Sequence, residues 1–240
     1  MKPNHPILRR IGKVLLFVLL TVTLYFYQLP MILGSLLVRH EYPHSHAARL
    51  AALHGYDLWI TLATVIFAAV EIGFLVWLYR RQLKKRNPLH FGRRKFRLES
   101  LFFLFLMYVL VLAVNLVVAR FGTPNNQQGI LDEMKILPVT LFFLAGVLAP
   151  FIEELTFRGI FMNLFWAKDN RFNEWAAIIT SGLVFGLMHE PHLSVFLLLY
   201  SSLGWILAYT YRYHRDLRYS IGLHVMINFP SALAALLQAL

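Results

Sequence analysis

Long apolar runs separated by short polar segments fill most of this 240-residue sequence. An α-helix needs about 20 residues to cross the hydrocarbon core of a bilayer, and most of the runs are close to or above that length. The pattern predicts an all-α, multi-pass transmembrane helical bundle of seven spans, or eight if the fourth run is split at Pro150. The runs cover approximately residues 14–38, 58–79, 98–119, 136–166, 175–189, 193–211 and 219–239.

The composition agrees with a membrane protein. Hydrophobic residues make up 58% of the chain and charged residues only 15%, whereas a soluble domain carries about 25% charged residues. The net charge of +11 is concentrated in blocks between the runs, which is typical of loops that face anionic lipid headgroups. We therefore expect the lipid bilayer, and no nucleic acid, as a partner. The absence of cysteine excludes disulfides, thiolate metal sites and cysteine nucleophiles.

The basic blocks also predict an orientation. Segments 80–97 and 212–218 are rich in Lys and Arg and should face the cytoplasm, whereas the mixed segments 39–57 and 120–135 should lie outside. Seven spans satisfy this alternation, and an eighth would break it in the second half. We expect a multi-pass protein of the cell membrane with a cytoplasmic N-terminus. The sequence makes no prediction of the oligomeric state.

Polar residues inside the runs are few, because they are costly in a bilayer. Glu71 and Asn115 are expected to be packing groups with hydrogen-bond partners.

The last 90 residues or so differ, because three helices there each carry a polar motif. In the first, Glu154 and Arg158 share a helix face at positions i and i+4, and Glu153 points about a quarter turn away. Arg158 can thus neutralise Glu154 and leave Glu153 free.

The other two motifs have the same spacing. Phe185 lies four residues before His189, so its ring can pack on the imidazole, and the following Pro191 should end that helix near residue 190. His224 and Asn228 project from one face of the last helix. Depth arithmetic at about 1.5 Å per residue predicts that all three motifs can line one cavity that reaches the middle of the membrane and opens toward the cytoplasm.

These motifs, in this order on separate apolar helices, resemble the CPBP family. That family comprises intramembrane endopeptidases of the CAAX-protease and bacteriocin-processing group, including Rce-type and Abi-like proteins. The motifs are Glu153-Glu154-x-x-x-Arg158, Phe185-x-x-x-His189 and His224-x-x-x-Asn228. The resemblance spans residues 137–230. We therefore divide the chain into three N-terminal spans without a named motif, residues 1–135, and a CPBP-like catalytic helical core, residues 136–240.

The resemblance implies hydrolysis of peptide bonds in membrane-associated proteins or peptides. In the family, the first glutamate of the first motif activates water, which gives this role to Glu153. His189 would help to position the water, and His224 with Asn228 would stabilise the oxyanion. Glu154, Arg158 and Phe185 would support the site. The substrate class stays open among CAAX-type processing, maturation of leader or pheromone peptides, and self-immunity to bacteriocins.

Two alternatives remain open from the residues. A zinc ion held by His189, His224 and Glu153 would make the protein a metallo-endopeptidase. We favour a glutamate-type, cofactor-free reaction, because zinc ligation by Glu153 would leave only Glu154 as a base, and Arg158 holds that carboxylate. The alternative function is a non-enzymatic transporter or peptide-binding immunity protein that uses the same buried polar cluster.

Overall fold

The computed structural model describes residues 6–239, and 84% of the structure is helical. No strand occurs within those residues, so the predicted all-α class is confirmed. Among the described residues, five helical segments are long and apolar enough to cross a membrane, fewer than the seven predicted spans. The helices are α1 (Pro6–Thr23), α2 (Leu29–Glu41), α3 (His46–Gly55), α4 (Asp57–Lys85), α5 (Leu98–Val118), α6 (Asn125–Met134), α7 (Pro138–Phe165), α8 (Arg171–His189), α9 (Val195–His214) and α10 (Leu217–Ala239).

The first apolar run is a broken helix. Helices α1 and α2 are joined by a short 3-10 turn, Phe26–Gln28. The backbone N–H of Tyr27 in this turn donates to the Glu71 carboxylate at 3.2 Å. Glu71 is only 3% exposed, and this bond satisfies a backbone group that the break would otherwise leave unpaired in hydrocarbon. The prediction that Glu71 is a packing group with a hydrogen-bond partner is confirmed.

The fourth run is one continuous helix, α7, and Pro150 does not divide it. Two stretches of α7 have the wider π-helical turn, at Leu144–Leu148 and Glu154–Met162. Pro150 follows the first stretch almost directly. Local π adjustments of this kind satisfy backbone groups that a proline leaves unbonded within the membrane.

Helices α8 and α9 form a tight hairpin, although neither meets the length and hydropathy criterion for a span. A Cβ atom on Gly204 would lie 2.7 Å from the Cα of Gly182, so the two backbones approach as closely as glycine allows. The Trp205 indole adds a hydrogen bond to the Ile179 carbonyl oxygen at 3.1 Å. Small residues permit this kind of helix contact in membranes.

The polar segments gather at two ends of the bundle, as the predicted alternation requires. At one end, Gly92 N–H donates to the Arg215 carbonyl oxygen at 2.9 Å, and Arg215 Nη2 lies 3.8 Å from Asp169 Oδ2. At the other end, the Asp57 carboxylate accepts from the Val139 N–H at 2.8 Å. The segments that the sequence assigns to one side of the membrane therefore meet at one end of the structure.

The two halves of the chain share one apolar core. Buried side chains from the first half, such as Leu20 and Leu75, belong to the same cluster as Ile152 and Phe157 from α7. Phe17 of α1 packs edge-on against Phe157, with 6.3 Å between ring centroids. The division at residue 135 stays a prediction, and the first-half helices contribute directly to the surroundings of the motif on α7.

Candidate active site

The predicted ion pair on α7 is confirmed. Arg158 Nη1 lies 3.0 Å from Glu154 Oε1, and both side chains are completely buried. The second guanidinium nitrogen, Nη2, donates to the Gly204 carbonyl oxygen on α9 at 2.9 Å. Because a lone charge in this core would be very costly, the pair and its hydrogen bond explain how the sequence tolerates both residues.

Glu153 forms no ion pair with Arg158 within 4 Å and lies beside two histidines from other helices. Its Oε2 atom is 3.9 Å from His189 Nε2 at the end of α8 and 3.8 Å from His224 Nε2 on α10. The Glu153 side chain is 16% exposed and that of His189 is 19% exposed, so this carboxylate can be reached from outside the core. The structure thus brings together the three residues that the motifs predicted to converge.

The other nitrogen of each imidazole has a fixed partner. His189 Nδ1 donates to the Phe185 carbonyl oxygen at 2.9 Å, because a carbonyl oxygen can only accept. His224 Nδ1 lies 3.0 Å from Glu154 Oε1 and donates to this carboxylate. In their neutral forms, both rings therefore present an unprotonated Nε2 to Glu153.

Aromatic rings hold the two imidazoles in place. Phe185 packs on His189 with 4.4 Å between ring centroids, as its spacing predicts, and also contacts His224 at 5.8 Å. The other side of His189 stacks on Tyr200 from α9 at 4.8 Å. The Arg158 guanidinium carbon lies 4.6 Å from the centre of the Phe185 ring. Phe185 thus connects the ion pair with both histidines.

Asn228 lies one turn beyond His224 on the same helix. Its Nδ2 donates to the Ala145 carbonyl oxygen at 3.1 Å, within the first π stretch of α7. This bond uses one of the two N–H groups of the amide. The bond also ties α10 to α7 close to the cluster.

Three features of the site were missed from the sequence. Tyr200, which stacks on His189, looks like an ordinary aromatic residue of an apolar helix. The Gly204 carbonyl oxygen carries no side-chain signal, although small residues at 182, 186 and 204 could have indicated a close helix pair. Helix α8 ends at His189, as Pro191 predicted, but the burial of the following Glu190, which is only 4% exposed, was not expected.

The donor types around Glu153 suit zinc chemically, because two imidazole nitrogens and one carboxylate form a common catalytic set. The spacing of these side chains fits a zinc site less well than their chemical types do. Within residues 6–239, no group of three or more His, Asp or Glu side chains is arranged to hold a metal ion.

The fold and the site define a multi-pass membrane protein with a buried Glu–Arg pair and an accessible Glu–His cluster. Residues 135–230 match the family model described as "Type II CAAX prenyl endopeptidase Rce1-like". This part of the chain is therefore similar to Rce1-like endopeptidases, and the resemblance to the CPBP family is confirmed there. The matched segment contains all three motifs and begins one residue before the proposed catalytic core.

Two curated relatives agree with this family. The chain is 31% identical over 104 residues to "Putative membrane peptidase YdiL" of Bacillus subtilis (strain 168), which covers 43% of this chain and 40% of the relative. It is 28% identical over 134 residues to "UPF0177 protein YvdC" of Lactococcus lactis subsp. lactis (strain IL1403), covering 55% of this chain and 49% of that protein. The matches thus span less than half the length of both relatives. No solved structure matches the chain significantly.

Proposed function

We propose that this chain is an intramembrane endopeptidase that hydrolyses peptide bonds of membrane-associated peptides or proteins, with Glu153 as the group that activates water. The observation that carries the proposal is the contrast between the two adjacent glutamates. Glu154 is fully buried and bound by Arg158, whereas Glu153 is accessible and faces the Nε2 atoms of His189 and His224. An accessible carboxylate beside an imidazole is a suitable general base.

The reaction needs one proton transfer to begin. Glu153 takes a proton from water while the water oxygen attacks the carbonyl carbon of the scissile peptide bond. His189 Nε2 is unprotonated when Nδ1 donates to the Phe185 carbonyl oxygen, so it can accept the second hydrogen of the water and orient it. The C–N bond then breaks, and Glu153 returns its proton to the leaving amine.

The tetrahedral intermediate carries an oxyanion that needs hydrogen-bond donors. His224 uses Nδ1 for Glu154, so it can donate from Nε2 only as a positively charged imidazolium. At this stage Glu153 holds the proton taken from water, so the oxyanion and the Glu154 carboxylate are balanced by the Arg158 guanidinium and the His224 imidazolium. The second N–H of Asn228 would complete the oxyanion site.

We assign a metal-independent reaction because the number of suitable groups is small. Glu154 already binds Arg158 and His224, and a neutral carboxamide such as that of Asn228 is a weak zinc ligand. If Glu153, His189 and His224 held zinc, neither glutamate of the first motif would remain free to accept the proton of water. Metal analysis of active protein tests this assignment. About one tightly bound zinc per chain, with activity lost to a chelator and restored by zinc, would contradict it.

The proposed substrate is a membrane-associated peptide or protein, and the proposed location is the cell membrane with a cytoplasmic N-terminus. The basic segments 80–97 and 212–218 support this orientation, since cytoplasmic loops are enriched in Lys and Arg. The site would then be reached from the cytoplasmic side.

A comparison of peptides from whole cells tests the proposed activity. Cells that carry wild type, Glu153→Gln or the control Glu174→Gln would be compared by mass spectrometry for fragments of membrane peptides. Glu174 lies on α8 near its first turn, far along the helix from His189. We expect specific fragments to be present with wild type and the control but absent with Glu153→Gln. Identical fragments in all three cell lines would contradict the proposal and favour a binding or transport role.

A further inference from the structure

A basic cavity of about 450 Å³ lies at the end of the bundle where segment 86–97 meets the turn between α9 and α10. None of the proposed catalytic residues lines it. Four cationic side chains and two tyrosines form much of its wall, namely Arg94, Lys95, Arg97, Arg215, Tyr213 and Tyr219.

Apolar contacts anchor the basic segment to the bundle. Leu89 and Phe91 are 2% and 5% exposed, although they lie in a segment rich in Lys and Arg. The Phe91 ring stacks on Tyr211 of α9, with 4.5 Å between centroids and 12° between ring planes. The Asn87 side chain accepts from the Phe91 N–H at 2.8 Å. A run of cations is usually a mobile, solvated loop, and these contacts show that this one has a defined backbone.

A second anchor lies at Asp216, in the turn that follows α9. Its carboxylate accepts from the Arg94 backbone N–H at 2.8 Å, and the Arg218 guanidinium donates both to Asp216 and to the Arg94 carbonyl oxygen at 2.8 Å. Burial alone would raise the pKa of Asp216, but the bonds from the Arg218 side chain and from two backbone N–H groups lower this pKa below its usual range. The cavity wall is thus fixed on both sides.

The charge in the cavity is strongly unbalanced. Among the residues that line the cavity, four carry a positive charge and one, Glu99, carries a negative charge, so the lining has an excess of three positive charges. Arg97 Nε lies 3.4 Å from Glu99 Oε2, but both side chains are highly exposed, and such pairs are weak. Arginine guanidinium groups with a nearby lysine are well suited to a phosphate group.

Exposed apolar side chains lie beside these cations. Phe96 is 66% exposed, Leu98 is 76% exposed and Tyr213 is 60% exposed. The cavity lies where α4 ends and where α5 and α10 begin, and all three helices meet the criterion for membrane spans. At the end of a span, exposed apolar side chains face the bilayer interface, where a phosphate group and acyl chains occur in one molecule.

We propose that this cavity binds the headgroup phosphate of an anionic phospholipid, with Lys95 and Arg97 among its direct ligands. Phe96 and Leu98 lie against the acyl chains. A free phosphate would use the same cations but would gain nothing from the apolar residues. The site is independent of the proposed peptidase activity.

Phosphatidylglycerol binding to the purified full-length chain in a neutral detergent tests this proposal. Lipid-bound protein would be quantified by native mass spectrometry for wild type, Lys95→Gln/Arg97→Gln and Arg86→Gln/Arg93→Gln. Both double variants remove two exposed cations from the same segment, but neither Arg86 nor Arg93 lines the cavity. The cavity variant loses two charge-assisted contacts to the phosphate and should bind about thirtyfold more weakly, whereas the control loses no contact to it and should stay within about threefold of wild type.

Four further measurements complete the test. The variant Lys95→Arg/Arg97→Lys should bind like wild type, and melting curves should show that every variant is folded. Phosphatidylcholine should bind much more weakly than phosphatidylglycerol, and millimolar inorganic phosphate should not displace the lipid. Equal weakening in both Gln double variants, or the absence of saturable lipid binding, would overturn the proposal. Displacement by inorganic phosphate would assign the cavity to a free phosphate and also overturn it.

Discussion

Replacement of Arg158 by methionine should strongly destabilise the protein. Arg158 and Glu154 are both fully buried and 3.0 Å apart, and methionine keeps much of the side-chain length while removing the charge. The variant would leave the Glu154 carboxylate in the core with the contacts from His224 and Ser220 but without the Arg158 charge. Removing one partner of a buried pair typically costs about 3–5 kcal/mol. For a chain of this size that corresponds to a decrease in Tm of about 6–20 °C.

The double variant Glu154→Gln/Arg158→Met separates the ion pair from loss of packing. The glutamine can still accept a hydrogen bond from His224 Nδ1, and no unpaired charge remains. We expect its Tm to lie above that of Arg158→Met, so the two substitutions should be non-additive. Arg212→Met is a matched control, since Arg212 is 7% exposed and donates to the Trp166 carbonyl oxygen at 3.5 Å. Thermal unfolding in mild detergent provides the measurement. If Arg158→Met melts like wild type, the assigned pairing is wrong. It is also wrong if the decrease in Tm of the double variant equals the sum of the decreases measured for Glu154→Gln and Arg158→Met alone.

Three further predictions concern packing, pH and topology. Gly204→Ala should lower the free energy of unfolding by about 1–3 kcal/mol, because its Cβ would meet the backbone of α8 at 2.7 Å. Gly73→Ala is the control and should have little effect, because there is open space around its Cβ. Equal melting temperatures of the two variants would contradict this prediction. The Asp216 carboxylate stabilises the fold above its unfolded pKa of about 4, and this contribution is lost as the pH falls through its lower folded pKa. The Tm should therefore fall more steeply for wild type than for Asp216→Asn between about pH 5 and pH 3. Parallel plots of Tm against pH for the two proteins would refute the stabilising role of Asp216. Because the chain has no cysteine, single cysteines can be labelled to test the orientation. In intact cells, Arg86→Cys should be protected from an impermeant thiol reagent and His44→Cys should be labelled. The reverse labelling would overturn the orientation.

Local spacing was sufficient to predict the contacts within single helices. The Glu154–Arg158 pair and the Phe185–His189 contact follow from the i, i+4 geometry of any helix, and both are present in the structure. The apolar runs likewise indicated every long helix, because hydrophobic length is set by the thickness of the bilayer.

Contacts between helices needed more than spacing. The meeting of Glu153 with His189 and His224 was expected from the order of the motifs and from depth arithmetic, but the rotation of each helix depends on packing around it. The π stretches of α7 leave no sequence signature, since they arise from backbone hydrogen bonds in the tertiary structure. The break before α2 has a local signal in Pro30, but Glu71, which binds the Tyr27 N–H at this break, lies 44 residues away.

The anchored basic segment shows a different reason for a missed feature. Charge alone predicted that segment 80–97 faces the cytoplasm, and composition gave no reason to expect order there. The order comes from Phe91, which packs on Tyr211, and from Asp216, which binds the Arg94 backbone. These partners lie more than 100 residues away in the sequence, so no local pattern could reveal them.

The catalytic role of Glu153 is tested most directly by cleavage kinetics in proteoliposomes. The substrate would be a membrane peptide whose fragments disappear in cells that carry Glu153→Gln, and the purified wild type, Glu153→Gln and Glu174→Gln proteins would be compared at equal folded concentration. A general base contributes about 10²- to 10⁴-fold to the rate. We expect Glu153→Gln to lose at least about 10²-fold in kcat with an unchanged Tm, and Glu174→Gln to retain wild-type activity. A folded Glu153→Gln protein with near-wild-type kcat would contradict the central claim.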